Sequence, residues 1–129
     1  MARILLIEDV EEVRSVIRRM LEDAGHSVSI GIDGEDGLEQ FRQGPADLVL
    51  CDVFMPRKSG ITVLKELRQL SLGVPVIVMS GGPPSHIKSD VPEVDLRDLA
   101  RLLGATDTIA KPFRAVDLLS MIRRHLKGG

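Results

Sequence analysis

The stretch that decides the fold runs from Leu48 to Gly60 and reads LVLCDVFMPRKSG. Its apolar first half has the length of a β-strand, and it ends in the carboxylate of Asp52, after which Met-Pro turns the chain. A strand that is buried on both faces has no place for an ionisable group in its interior. It can carry one at its carboxyl end, where open parallel sheets bind their ligands. Asp52 is therefore the first candidate for a functional residue.

Short apolar runs alternate with helical patterns along the whole chain, which is typical of a parallel α/β sheet. The five predicted strands are Arg3–Ile7, His26–Ile30, the strand that ends at Asp52, Val76–Met79 and Thr106–Ala110. The helices between them have capping and stop signals at Asp33 with Asp36, at Ser59, at Asp90 with Glu93, and at Gly25 and Gly104. The second strand alternates polar and apolar residues, which suits a sheet edge. We therefore predict a doubly wound five-stranded parallel sheet of order 2-1-3-4-5 with five helices.

Composition excludes several classes of protein. The chain has 129 residues, which predicts one domain spanning 1–129 with no output domain in this chain. A net charge of −2 and the absence of Trp and Tyr argue against nucleic-acid binding. A single cysteine, Cys51, excludes an internal disulfide and fits a reducing compartment. Because the N-terminal apolar run is too short for a signal peptide or a membrane span, a cytoplasmic location is expected.

Five polar side chains follow the predicted central strands: Glu8, Asp9, Asp52, Ser80 and Lys111. Since the carboxyl ends of parallel strands lie at one edge of the sheet, we expect these side chains to meet there. Three carboxylates repel one another and need a cation to stay ionised, and oxygen donors favour a hard ion such as Mg²⁺. The hydroxyl and the ammonium group then provide a cradle for a phosphoryl group. The chemistry predicted is attack of the Asp52 carboxylate on a phosphodonor.

Four ordered motifs carry a resemblance to a known family: Glu8-Asp9, Asp52-Val53-Phe54-Met55-Pro56 with Gly60, Ser80-Gly81, and Lys111-Pro112-Phe113. Together they resemble a response-regulator receiver domain of two-component signalling, which has a flavodoxin-like fold, and the resemblance covers essentially the whole chain. Taken singly, each residue has a plainer interpretation. Glu8 and Asp9 could cap the first helix, Ser80 could be a loop hydroxyl, and Lys111 could be a solvated strand end.

The resemblance implies a role for each matched position. Asp52 would be the phosphoacceptor and a Mg²⁺ ligand, Asp9 a direct ligand, Glu8 a ligand through water, and the Phe54 carbonyl a further metal oxygen. Ser80 would donate a hydrogen bond to the phosphoryl oxygens, and Lys111 would pair with them. The Lys111-Pro112 bond would be cis, as is usual in the family.

The resemblance also implies the function. The chain would accept a phosphoryl group from a sensor histidine kinase or a histidine phosphotransfer protein, and would then act through a downstream partner or a homodimer. It would not be an enzyme beyond its own phosphorylation and slow dephosphorylation. Phosphatases with an Asp nucleophile need a second Asp two residues later, where this chain has Phe54. Two alternatives stay open: a pseudo-receiver that serves as a binding scaffold, and a receiver fragment of a larger regulator.

Two departures from the family pattern concern the output. Thr108 occupies the position three before Lys111, where the family usually has an aromatic residue that changes rotamer on phosphorylation. We therefore hypothesise that coupling relies on movement of the loop after Ser80. That loop, around Gly81–Glu93, is longer than expected and contains Gly81-Gly82-Pro83-Pro84. It is either a partner-binding segment or a tolerated insertion.

Overall fold

The computed structural model describes residues 2–55, 57–80 and 93–126, the last range with side chains from 98 onward. Five strands alternate with five helices. The strands are β1 (Arg3–Ile7), β2 (Ser27–Gly31), β3 (Leu48–Asp52), β4 (Val76–Ser80) and β5 (Asp107–Ala110). The helices are α1 (Glu11–Asp23), α2 (Gly34–Gln43), α3 (Gly60–Leu70), α4 (Glu93–Leu102) and α5 (Ala115–His125). Among these described residues, no helix combines the length and the apolarity that crossing a membrane requires.

The strands form one parallel sheet of order β2-β1-β3-β4-β5, which confirms the predicted topology. Strands β2 and β5 begin one residue later than predicted, and β2 and β4 each end one residue later, at Gly31 and Ser80. His26 lies before β2, where its backbone amide donates to the carbonyl of Leu21 at the end of α1. Thr106 lies before β5, and its hydroxyl accepts a hydrogen bond of 3.0 Å from the backbone amide of Val76.

Helices cover both faces of the sheet and create two apolar layers. α1 and α5 pack on one face and bury Ile17, Leu21, Leu118 and Ile122 against the sheet. α2, α3 and α4 pack on the other and bury Leu38, Phe41, Val63, Leu64, Leu67 and Ala100. The central strands β3 and β4 are buried along their whole length, so their apolar runs fill both layers.

Several helix ends follow the predicted signals. The side chain of Asp33 accepts a hydrogen bond of 2.8 Å from the Asp36 amide at the start of α2. Ser59 accepts one of 3.3 Å from the Thr62 amide at the start of α3. Gly104 ends α4 with a φ of +107°, a conformation that side chains disfavour. The predicted cap Asp90 lies outside the described residues.

Candidate functional site

Three carboxylates meet at the carboxyl edge of the sheet. Glu8 follows β1 and is fully buried, Asp52 ends β3 with 4 % of its surface exposed, and Asp9 is half-buried. One oxygen from each of the three carboxylates lies within 4.8 Å of the others. In the part of the chain that the structure describes, Oδ1 of Asp9 is buried without a hydrogen-bond partner. The strand ends therefore bring the three carboxylates together, as the sequence predicted, with Glu8 and Asp52 buried.

Lys111 is the cation that faces this cluster. Its Nζ lies 2.7 Å from Oε1 of Glu8 and 3.1 Å from Oδ1 of Asp52. Burial and the nearby charge of Glu8 raise the pKa of Asp52 to about 6, although Lys111 opposes this shift. Burial alone would lower the pKa of Lys111, but its hydrogen bond to Glu8 and the charge of Asp52 outweigh burial and raise it. One ammonium group thus serves two buried carboxylates.

Ser80 ends β4 next to this cluster and is fully buried. Among the described residues its hydroxyl has no hydrogen-bond partner, which is costly for a buried polar atom. Its carbonyl accepts a hydrogen bond of 2.8 Å from the backbone amide of Lys111, so β4 and β5 deliver the two side chains together. The peptide bond between Lys111 and Pro112 is cis, as the resemblance implied.

Gly60 explains how the chain turns so sharply after Asp52. Its amide donates a hydrogen bond of 2.9 Å to the carbonyl of Val53, so α3 starts directly against the end of β3. A Cβ at Gly60 would overlap the carbonyl oxygen of Asp52 and would lie 2.7 Å from Cα of Val53. Any side chain there would push α3 away from Asp52. The glycine of the motif is therefore required by a close approach of two backbones.

The structure also describes the side chains of Phe54 and of Thr108, the residue that departs from the family pattern. Phe54 is half-buried, and its side chain packs against the apolar layer beneath α2, α3 and α4. Thr108 is buried in β5, and its hydroxyl accepts a hydrogen bond of 3.4 Å from Arg101 of α4. The loop after Ser80, around 81–93, falls almost entirely outside the described residues. The hypothesis that coupling depends on its movement stays a prediction.

The sequence analysis did not predict the contacts of two cationic side chains near the site, Arg14 and Lys58. Arg14 of α1 donates a hydrogen bond of 2.9 Å to the carbonyl of Glu8. Lys58, in the loop after Asp52, forms ion pairs of 2.7 Å with Glu35 and 2.6 Å with Glu66. No spacing pattern in the sequence indicates these contacts. Arg14 binds a backbone carbonyl, and the partners of Lys58 lie on two different helices.

The donor set fits a hard divalent cation. All the groups are oxygens, one of them is a buried carboxylate oxygen without a described partner, and one ammonium does not balance three carboxylates. Such oxygen-only clusters are the usual sites of Mg²⁺ in proteins. The ammonium group of Lys111 beside Asp52 can also bind a phosphate group, because it attracts phosphate oxygens as readily as carboxylates.

Comparison with known proteins identifies the class that this fold and site define. The sequence-family model for the response regulator receiver domain matches residues 4–123 of this chain. The chain belongs to this family, and the family binds Mg²⁺ at its acidic cluster.

Curated relatives include two named transcriptional regulatory proteins. The chain is 40% identical over 121 residues to DltR of Streptococcus agalactiae serotype III, with 94% of this chain and 50% of that protein covered. It is 38% identical over 127 residues to CpxR of Escherichia coli K12, with 98% and 50% covered. The chain therefore spans about half the length of these curated relatives.

Solved structures give the same result. The chemotaxis protein CheY4 of Vibrio cholerae superposes with a TM-score of 0.84 at 26% identity, covering 98% of this chain and 99% of that one. A response regulator receiver domain protein from Clostridium thermocellum superposes with a TM-score of 0.86 at 29% identity, covering 97% and 94%. The CheY-like receiver fold is thus shown for nearly the whole chain.

Proposed function

We propose that the chain is a phosphoacceptor receiver in which Asp52 takes a phosphoryl group from a histidine kinase or a histidine phosphotransfer protein. The observation that carries the proposal is the buried Asp52 carboxylate, which lies 3.1 Å from the Lys111 ammonium and within 4.8 Å of Glu8 and Asp9 oxygens. A structural carboxylate has little reason to share a buried site with two others, because each ionised group there raises the cost of the next.

In the transfer, a carboxylate oxygen of Asp52 attacks the phosphorus of a phosphohistidine. The new O–P bond forms as the P–N bond breaks, and the departing imidazole keeps the electron pair of that bond. Lys111 lies where its charge would meet the phosphoryl oxygens. The hydroxyl of Ser80, which has no partner among the described residues, is available to donate a hydrogen bond to them. Only the ionised form of Asp52 is a nucleophile, so Lys111 also favours the reactive state.

Mg²⁺ would be held by Asp9, Asp52 and the Phe54 carbonyl, with Glu8 acting through water. When bound, the ion neutralises the charge that builds up as the phosphoryl group approaches the carboxylates. Lys111 alone leaves this charge partly unbalanced, since it already pairs with both Glu8 and Asp52.

Phosphorylation would act as a switch. It adds nearly two negative charges to the acidic edge, and new contacts from Lys111 and Ser80 would shift an existing equilibrium between two conformations. The readout would be a downstream protein partner or a homodimer, in the cytoplasm, without direct nucleic-acid binding by this domain. The chain would not be an enzyme apart from its own phosphorylation and slow dephosphorylation. Its relatives DltR and CpxR are longer transcriptional regulators, so a receiver that is part of a larger regulator fits equally well.

Intact-mass measurement after incubation with acetyl phosphate and Mg²⁺ tests the proposal. We expect a mass increase of one phosphoryl group that is lost in the Asp52→Asn variant and strongly reduced when EDTA replaces Mg²⁺. An Asp98→Asn variant, which changes an exposed carboxylate on α4, serves as the matched control and should be phosphorylated normally. Absence of the adduct in the unmodified chain, with the fold intact, would favour the pseudo-receiver scaffold.

A further inference from the structure

We propose that Lys58 is a positioning residue for the site: its ion pairs with Glu35 and Glu66 hold the loop between β3 and α3 in the conformation that binds Mg²⁺. The inference rests on the proposed function, in which this loop supplies the carbonyl oxygen of Phe54. Lys58 itself touches none of the carboxylates that form the metal site among the described contacts.

Lys58 connects the loop to two helices. Its Nζ lies 2.7 Å from Oε1 of Glu35, in the first turn of α2, and 2.6 Å from Oε2 of Glu66 in α3. Only 18 % of the Lys58 side chain is exposed, and its partner Glu66 is 34 % exposed, whereas Glu35 is 70 % exposed, so the pair with Glu66 is the better shielded of the two. The side-chain stem lies over Gly34, where a Cβ would come within 3.2 Å of Cβ of Lys58. The glycine thus makes room for the lysine against α2.

The backbone beside Lys58 is in a conformation that needs such support. Arg57 has a φ of +67°, in the left-handed region that residues with a Cβ rarely adopt. A conformation of this kind is disfavoured for a residue with a Cβ and persists only where the surroundings fix it. Arg57 itself is exposed, so its own side chain is not buried against anything that could hold it. The neighbouring anchor is Lys58, which makes two ion pairs directly after the strained residue.

The two ends of the loop are fixed independently of Lys58. Val53 donates its amide to the Met79 carbonyl at 2.9 Å, and Gly60 donates to the Val53 carbonyl at 2.9 Å. Among the described residues, the middle of the loop after Phe54 has no comparable backbone bonds to a strand or helix. In the middle of the loop Met55 packs into the apolar layer beneath α2, α3 and α4, and Lys58 makes the ion pairs that follow it. Loss of the Lys58 anchor would therefore loosen this segment and leave Asp52 and α3 in place.

The direction in which the Mg²⁺ affinity changes distinguishes a positioning role of Lys58 from a purely electrostatic one. Removing a positive charge near an acidic metal site strengthens the binding of a cation, because one repulsion disappears. Loosening a segment that carries a ligand weakens binding, and loss of supporting contacts around metal sites typically costs about tenfold or more in affinity. A Lys58→Met variant, which keeps the side-chain stem, therefore gives opposite results under the two explanations.

The test compares Lys58→Met with Lys65→Met, the same change at an exposed position of α3. Mg²⁺ affinity is measured by NMR titration, and amide hydrogen exchange at Met55 and at Lys58 or its replacement is measured in metal-free protein, with the Val53 amide as the internal reference. We expect Lys58→Met to raise the Mg²⁺ dissociation constant about tenfold and to speed exchange in the loop. Lys65→Met should change neither by more than about twofold. Lys58→Arg should recover most of the affinity because it can still pair with both carboxylates.

A second set of variants keeps the proposal falsifiable if Lys58→Met folds poorly. Glu35→Gln with Glu66→Gln removes both partners and keeps the lysine, and it should loosen the loop in the same way. Adding Arg57→Gly to Lys58→Met removes the strain and should recover part of the affinity. Unchanged or tighter Mg²⁺ binding in Lys58→Met, with unchanged exchange, would overturn the inference. Failure of the proposed function is distinct, because it appears as absence of phosphorylation in the unmodified chain.

Discussion

Lys111 donates a hydrogen bond of 2.7 Å to Oε1 of Glu8 across 103 positions of sequence, and Glu8 has no exposed surface. The pair joins β5 to β1, strands that are separated in the sheet by β3 and β4. A fully buried carboxylate is tolerated only when it is paired. Lys111 is therefore part of the fold as well as of the site.

This relationship predicts that Lys111→Met destabilises the chain. The change keeps most of the side-chain volume but leaves two buried carboxylates without their cation. Breaking a buried pair from one side costs about 3–5 kcal/mol, and the partial exposure of Lys111 reduces this to about 2–3 kcal/mol. Urea unfolding in metal-free buffer measures the difference. Arg114→Met, which breaks an exposed pair with Asp117, should leave the urea midpoint almost unchanged. Equal losses in the two variants would contradict the prediction.

Much of this arrangement follows from the sequence, because hydrophobic periodicity and turn residues locate each strand. The rule that parallel strands align their carboxyl ends is enough to predict that Asp52 and Ser80 lie at one edge. The contacts of Lys58 could not be predicted in the same way. A long side chain selects its partner among segments that meet only after the helices have docked, and Glu35 and Glu66 belong to different helices. Motifs therefore indicate the reacting groups, and packing decides which residues support them.

The raised pKa of Asp52 predicts a pH-dependent stability in metal-free protein. Burial and Glu8 raise this pKa to about 6 from an ordinary value of 3.8, so the folded state binds more protons than the unfolded state between these values. The contribution of Asp52 to the free energy of unfolding is therefore most favourable below about pH 4, and it falls as the pH rises to about 6. Because a tenfold change in proton affinity corresponds to about 1.4 kcal/mol, the ionised carboxylate costs about 2–3 kcal/mol at pH 8.

The Asp52→Asn variant removes the cost of burying an ionised carboxylate at this position. We expect the variant to be more stable than the unmodified chain by about 2–3 kcal/mol at pH 8 in EDTA, with the difference vanishing near pH 4. Urea midpoints measured from pH 4 to pH 8 check this. Asp98→Asn, on the exposed face of α4, should follow the profile of the unmodified chain. A constant difference between Asp52→Asn and the unmodified chain at every pH would show that the charge of Asp52 is not its source.

The contact of Gly60 with the end of β3 predicts that Gly60→Ala is costly. The new Cβ would meet the backbone of Asp52 and Val53, which cannot yield as a flexible side chain can. We expect a loss of about 2–3 kcal/mol in the free energy of unfolding and slower phosphorylation of Asp52, because α3 must move away. Gly73→Ala is the matched control, since a Cβ at Gly73 would meet nothing within 4 Å. A loss in Gly60→Ala no larger than in this control would contradict the prediction.

The last prediction concerns Arg68, which lies far from Asp52, at the opposite edge of the sheet. Its guanidinium donates hydrogen bonds of 2.8 Å to the Gly104 carbonyl and 2.7 Å to the Val74 carbonyl, so it ties α3 to the end of α4 and the start of β4. Arg68→Met leaves these acceptors unpaired and should cost about 2–3 kcal/mol. Arg68→Lys should recover little, because one ammonium group cannot reach acceptors on separate segments. Thermal unfolding compared with Lys65→Met measures the effect. A full recovery in Arg68→Lys would show that charge, and not the forked geometry, holds these segments together.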